Sequence, residues 1–177
     1  MIMDIKITKA KELKEIPDDY SKLSFGKQFT DHMLTMRYAD GKWHPAEIVP
    51  FGDLCLNPAA SCLHYGQEIF EGMKAYATQD GKIQLFRPEK NFERMNNSAK
   101  RMCMQPVDIE YVMEALKTLL KLEKRWIPKK RGTALYIRPT MIASEPFLGV
   151  HPAQEYLFFI ILSPVGSYFK NGFKPVK

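Results

Sequence analysis

Cysteine is scarce in this sequence: Cys55, Cys62 and Cys103 are an odd number, and no two of them stand at C-x-x-C spacing. That argues against a disulfide framework and against a cysteine-based zinc site, and makes a reducing compartment, the cytoplasm, the default. Histidine is scattered at positions 32, 44, 64 and 151, with no ligand pair at helical spacing, so no metal is expected. Long apolar runs are missing. The longest, Tyr156 to Leu162, has strand length and falls far short of the roughly 20 residues of a membrane span. From Met1 to Glu15, isoleucine and leucine alternate with lysine, which is neither the continuous apolar core of a secretory signal nor an acid-free, arginine-rich presequence. Nucleotide signatures are absent too: there is no G-x-G-x-x-G and no P-loop. Ser24-Phe25-Gly26-Lys27 fits S-x-x-K without its partner motifs, and is read as chance.

What is present is a chain of 177 residues, 45% hydrophobic with mixed charge, enough for one well-buried domain. The net charge of +6 raises the question of a polyanionic partner. Lys121 to Arg131, KLEKRWIPKKR, is a basic run around one tryptophan, as a nucleic-acid surface would have. It is equally the polar end of a helix followed by a solvated loop, where cations suit the negative helix terminus. No zinc finger, RNA-recognition aromatic motif or helix-turn-helix accompanies it, and the helix-end reading is preferred.

Taken in order, residues 1–22 read as a charged arm. Asp31 to Tyr38 has a strand pattern, Asp40-Gly41 supplies hairpin turn chemistry, and Trp43 to Val49 returns. A second Asp-Gly turn at Asp80-Gly81 leads into a strand over Ile83 to Phe86. Pro88 and Glu89 suit the first turn of a helix whose apolar stripe is Phe92, Met95, Ala99, Met102 and Cys103. Arg94 lies off that stripe. A second helix starts after Asp108 as N-cap, carries Ile109, Val112, Met113, Leu116, Leu119 and Leu120 on one face, and is stopped by Pro128. Strands over Thr133 to Ala143 and Tyr156 to Ser163 follow. The order predicts an α+β domain with a largely antiparallel sheet packed with helices. From Pro164 onward the composition becomes that of a linker.

The stretch Leu63 to Tyr76, LHYGQEIFEGMKAY, stands apart. Its second half alternates as a strand, with Phe70, Gly72, Lys74 and Tyr76 on one face and Glu71, Met73 and Ala75 on the other. Neither face is cleanly apolar. A glycine inside a strand marks a bulge or a close approach to the backbone, and the aromatics around it could wall a pocket or simply belong to the core. Further on, Tyr136 and Arg138 are two apart on a strand and share a face, which is either an outward polar strand face or, as a phenol beside a guanidinium, a receptor for a carboxylate. Arg94, within the first two turns of its helix, could meet a phosphate.

LHYGQEIFEGMKAY resembles the N-terminal domain of branched-chain aminotransferases, the type IV fold of pyridoxal-phosphate enzymes. So, in the same order, do FGKQFTDHM (25–33), LFRP…RM (85–95), LYIRP (135–139), EPFLGV (145–150) and PVGSYF (164–169). The resemblance runs from about Leu23 to the C-terminus. It implies amino-group exchange between leucine, isoleucine or valine and the 2-oxoglutarate/glutamate pair, with pyridoxal 5'-phosphate as cofactor and a homodimer as the assembly. It implies that Arg94 binds the cofactor phosphate, Tyr136 the substrate α-carboxylate and Arg138 the side-chain carboxylate of glutamate. Phe25, Phe70 and Tyr136 would line the pocket for the aliphatic side chain. Tyr65, Leu148 and Val150 would reach in from the partner subunit.

Transamination also needs a Schiff-base lysine and an acid on the cofactor ring nitrogen. In the family these lie on a second domain, beyond the matched stretch. Lys170, Lys174 and Lys177 match no such motif. The reading is therefore an N-terminal arm over 1–22, an N-terminal aminotransferase domain over 23–165, and the start of an interdomain linker over 166–177, with no turnover from these residues alone. The alternatives are a stand-alone, non-catalytic ligand-binding module and, behind it, a basic nucleic-acid-binding domain.

Overall fold

The computed structural model describes residues 4–19 and 25–166. The PVGSYF motif from residue 167 onward, the three C-terminal lysines and Ser24 lie outside them.

Two long strands, β8 (Ala134–Ala143) and β9 (Tyr156–Val165), form an antiparallel ladder ten residues long at the centre of the sheet. On the far side of β9 lies β2 (His32–Ala39), then β4 (Glu47–Pro50), then β1 (Lys6–Ile7), which is parallel to β4. A short β3 (Lys42–Trp43) folds back on the end of β2 through Asp40 and Gly41, both at positive φ, as a tight hairpin with twist-matched strands requires. The expected return strand, Trp43 to Val49, is split into β3 and β4 by His44, Pro45 and Ala46. On the near side of β8 lie β5 (Glu68–Phe70), β6 (Met73–Ala77) and, at the edge, β7 (Ile83–Leu85). Apart from the β1–β4 pair, every ladder is antiparallel, so the α+β expectation holds. Pro164 and Val165, assigned by composition to the start of a linker, are the last residues of β9 opposite Leu135 and Ala134.

One face of the sheet carries the core. Leu34, Met36, Met73, Ala75, Leu135, Ile137, Phe158 and Ile160 point to that side and are buried against α2 (Pro88–Arg101) and α3 (Ile109–Leu122). α3 is capped as its sequence predicts, with the Asp108 carboxylate accepting the Tyr111 backbone N–H at 3.0 Å. It ends before Pro128, at Leu122. A 3-10 turn over Lys124–Trp126 follows, and Glu123 is drawn inward. In α2 the stripe holds for Phe92, Met95 and Ala99 but not beyond. The helix stops at Arg101, Cys103 takes a positive φ, and Met102 and Cys103 are exposed. The loop to α3 is fixed instead by Asn96, whose side-chain amide donates to the Val107 carbonyl and accepts the Val107 N–H.

No helix among the described residues is long and apolar enough to cross a membrane.

Candidate active site

Among the described residues, α2 and α3 both pack on the core face and neither covers the opposite face of the sheet. Alternation along β8 puts Tyr136, Arg138 and Thr140 there, half-buried, and alternation along β5 and β6 adds Phe70, Lys74 and Tyr76. Register brings them together: Lys74 lies opposite Tyr136 and Phe70 opposite Thr140. Arg138 donates from Nε and Nη2 to the Tyr136 hydroxyl, at 3.0 and 2.7 Å. The same guanidinium lies 4.4 Å from the centre of the Phe70 ring, and Phe25 meets Tyr136 edge-on at 4.9 Å. Four of the residues singled out in the sequence, Phe25, Phe70, Tyr136 and Arg138, thus form one cluster, a hydrogen-bonded cation between aromatic walls.

The chain between β5 and β6 explains how the cluster is shaped. Phe70 pairs with Thr140 and Met73 with Ile137, so the register is unbroken and no bulge is present. The ladder lapses at Glu71 because its partner is Pro139. Glu71 donates its N–H to the Pro139 carbonyl at 2.9 Å, and Pro139 has no N–H to return. Gly72, opposite Arg138, meets the other reading of a strand glycine: the Tyr136 ring lies so close that a β-carbon there would stand 3.1 Å from Cζ and nearer still to the hydroxyl.

Glu71 points to the helix side and meets Arg94 on α2. Arg94 Nε donates to Oε1 at 2.6 Å and Nη2 to Oε2 at 2.7 Å, while Asn91 adds a third bond to Oε2 at 3.0 Å. Burial pushes the Glu71 carboxyl up, but the bonds from Arg94 and Asn91 outweigh it and hold the group below the usual carboxylate range. Arg94 therefore makes its bonds to Glu71 and none to the Tyr136–Arg138 pair; it meets the sheet at the point where the ladder lapses.

Tyr65, Leu148 and Val150 gather at a third place. The Tyr65 hydroxyl donates to the Leu148 carbonyl, and Val150 lines a cavity of about 450 Å³ with Tyr65, Gln67 and Met102. α1 (Ser61–Tyr65), which the sequence reading did not assign, ends at Gly66 in the left-handed region and so turns Tyr65 toward this loop. Leu148 is 59% and Val150 90% exposed.

In curated relatives, a branched-chain-amino-acid aminotransferase 2 of Bacillus subtilis is 52% identical over 174 residues, 98% of this chain and 47% of that protein. A branched-chain-amino-acid transaminase 1 of the same organism is 53% identical over 166 residues, 93% of this chain and 46% of that protein.

The chain is homologous to the branched-chain-amino-acid aminotransferases.

It spans about half the length of those aminotransferases. The crystal structure of the branched-chain aminotransferase of the thermophilic archaeon Thermoproteus uzoniensis with norvaline superposes with a TM-score of 0.60 at 25% identity, over 78% of this chain and 43% of that one. The α+β architecture is that of the N-terminal domain of the fold-type IV branched-chain aminotransferases. No family model matches.

The stretch FGKQFTDHM contributes to a buried network whose members the sequence reading did not single out. The Asp31 carboxylate accepts from the Trp126 indole at 2.7 Å, from Arg125 at 2.8 and 3.1 Å, and from the Lys14 backbone N–H at 2.8 Å. His32 Nε2 accepts the Ala10 N–H, which leaves its ring proton on Nδ1 to donate to Glu123 at 2.5 Å. Burial raises the Asp31 carboxyl, and its bonds to Trp126, Lys14 and Arg125 more than reverse that; for Glu123 burial prevails and its carboxyl stays above the ordinary range. The only signal available in sequence was an Asp-His pair at the head of a strand. In the same way two members of the basic run are already engaged within the fold, Arg125 by the Asp31 carboxylate and the Lys14 carbonyl and Trp126 by burial, which favours the helix-end reading of Lys121 to Arg131. Among the described residues no His, Cys, Asp and Glu group could hold a metal ion.

Proposed function

We propose that these residues form the carboxylate-recognition half of a branched-chain aminotransferase that exchanges the amino group of leucine, isoleucine or valine with 2-oxoglutarate. The observation that carries the reading is the Tyr136–Arg138 pair on the sheet face opposite α2 and α3, between Phe25 and Phe70. Tyr136 accepts two N–H bonds from Arg138, so its own O–H is turned outward to donate to a substrate α-carboxylate. Arg138 keeps further N–H groups for the distal carboxylate of glutamate or 2-oxoglutarate, and Phe70 screens one guanidinium face from water, which strengthens the attraction. Phe25 and Phe70 give an aliphatic side chain an apolar wall, with modest selectivity among leucine, isoleucine and valine.

Arg94 has the donor set to hold the phosphate of pyridoxal 5'-phosphate, since its Nη1 makes no hydrogen bond to the described residues. The cofactor, when bound, draws electrons from the substrate α-carbon and carries the amino group between partners. No residue of this chain is assigned its anchoring lysine, and residues 1–177 alone are expected to bind without turnover. Tyr65, Leu148 and Val150 complete the pocket of a second subunit in a homodimer. The domain over 23–165, with its arm before it and a linker after it, belongs to a cytoplasmic enzyme.

The test is amino transfer from leucine to 2-oxoglutarate by the full-length protein and its Arg138→Lys variant. A lysine keeps the charge and loses the fork. KM for 2-oxoglutarate should rise roughly tenfold, the value of one well-placed charged hydrogen bond, with a smaller change for leucine. Equal KM values in wild type and variant would remove Arg138 from the reading.

A further inference from the structure

We infer that Glu71 is a positioning residue for anion binding: it grips Arg94 along one edge and so presents the other edge of the guanidinium to a phosphate. The inference rests on the phosphate reading of Arg94 given above.

The geometry is specific. A guanidinium has two usable edges, one formed by Nε and the adjacent Nη, the other by the two Nη groups. Glu71 occupies the first, with Nε on Oε1 at 2.6 Å and Nη2 on Oε2 at 2.7 Å. Nη1 and the outer N–H of Nη2 have no partner among the described residues, so the second edge is free to meet two oxygens of a dianion. The two ends of the pair differ in surroundings as this role requires. Glu71 is 5% exposed, whereas the Arg94 side chain is 68% exposed. Glu71 is itself held by the Asn91 amide at 3.0 Å and by its own sheet position opposite Pro139. A buried, fixed carboxylate thus immobilises a long side chain that would otherwise sample many rotamers above the surface.

Charge alone would not place an acid here. Glu71 cancels the charge of Arg94 and weakens its long-range pull on a phosphate. The gain is pre-organisation, because an arginine already fixed loses little freedom when the anion arrives. A purely structural pin between sheet and helix would show the same contacts, and the two roles differ in one respect. A positioning residue acts on the phosphate group alone.

The experiment compares pyridoxal 5'-phosphate with pyridoxal, which lacks the phosphate, by equilibrium titration of the full-length protein. Glu71→Gln keeps the size and one acceptor but loses the paired carboxylate. It should weaken pyridoxal 5'-phosphate roughly tenfold, the factor expected for one freed arginine side chain, and leave pyridoxal unchanged. In an Arg94→Ala background the same substitution should have no further effect. An equal loss for both compounds, or none for either, overturns the proposal. If Glu71→Gln does not fold, Glu71→Asp, which withdraws the carboxylate by one methylene, should show a smaller loss of the same phosphate-specific kind, and an equal loss for both compounds again overturns it. If Arg94→Ala itself leaves the preference for the phosphorylated compound intact, the phosphate reading of Arg94 fails. The role of Glu71 then fails with it.

Discussion

The Tyr136 side chain lies over Gly72, in the space where any larger residue at that position would place its β-carbon. The hydroxyl that Arg138 holds is thus supported from beneath by the absence of a side chain. Gly72→Ala should push the ring aside and break the Arg138 bonds. We expect about 1 kcal/mol lost from stability, at the low end for overpacking because the ring is half-buried and can move, and a clear rise in KM for both carboxylate substrates. Steady-state kinetics beside urea denaturation checks this; an unchanged KM would show that the hydroxyl needs no such seat.

Acid stability should depend on Asp31. Its carboxyl is held below the ordinary range, so the stabilisation it gives is fully present above about pH 4 and is lost as the pH falls below that. Glu71 acts in the same sense. Glu123 opposes them: raised by burial, it contributes stability below its ordinary range and loses it as the pH rises through the higher folded value. Asp31→Asn should cost about 3 kcal/mol at neutral pH, as for a buried pair deprived of one partner, and should flatten the acid limb. Denaturation midpoints across pH 3 to 7 measure both effects.

Asn96 closes the α2–α3 connection by serving both backbone groups of Val107, at 2.8 and 2.9 Å. Its replacement by alanine leaves a buried N–H and a C=O without partners, which should cost about 2 kcal/mol. Val107 is 4% exposed, so water does not readily substitute. Kinetic constants should stay as they were, because Asn96 lies on the helix side of the sheet; a matching loss of activity would tie this loop to the site.

Leu148 and Val150 offer apolar surface with no cover among the described residues, beside Leu63 and Phe147, both about half exposed. In the proposed homodimer this surface meets the other subunit. Leu148→Glu in the full-length protein should shift sedimentation from dimer to monomer and raise KM, since the partner's pocket loses its wall. A variant that stays dimeric would move the interface elsewhere.

Local pattern was enough for much of this. Alternation set Phe70 against Met73 along one strand and Tyr136 against Leu135 along another, and Asp108 announced its helix, because these features depend on neighbours in the chain; that Phe70 and Tyr136 share a face needed the register between the strands. The partners of Glu71 were not legible: its alternation position was, but Arg94 reaches it only because α2 packs across β5. Nor was the Asp31–His32 network, whose partners at Glu123, Arg125 and Trp126 lie far away in sequence. The stripe of α2 was read one turn too far, since Met102 and Cys103 keep the helical period while the backbone has already left the helix. That Arg94 would be held by Glu71 and not by the Tyr136–Arg138 pair could not be seen at all from spacing along the chain.

The place of β9 between β2 and β8 sets an order of events during synthesis. Leu34 is paired with Ile160 across the ladder, so one edge of β2 finds its partner only 126 positions later. At ribosomal speeds of roughly 5–20 residues per second, that delay is on the order of ten seconds. Through that interval the growing chain carries β2 with one hydrogen-bonding edge unpaired. β9 is the last of the described strands to emerge and closes that edge, so the centre of the sheet is made late and the unpaired edge is open to wrong partners until then.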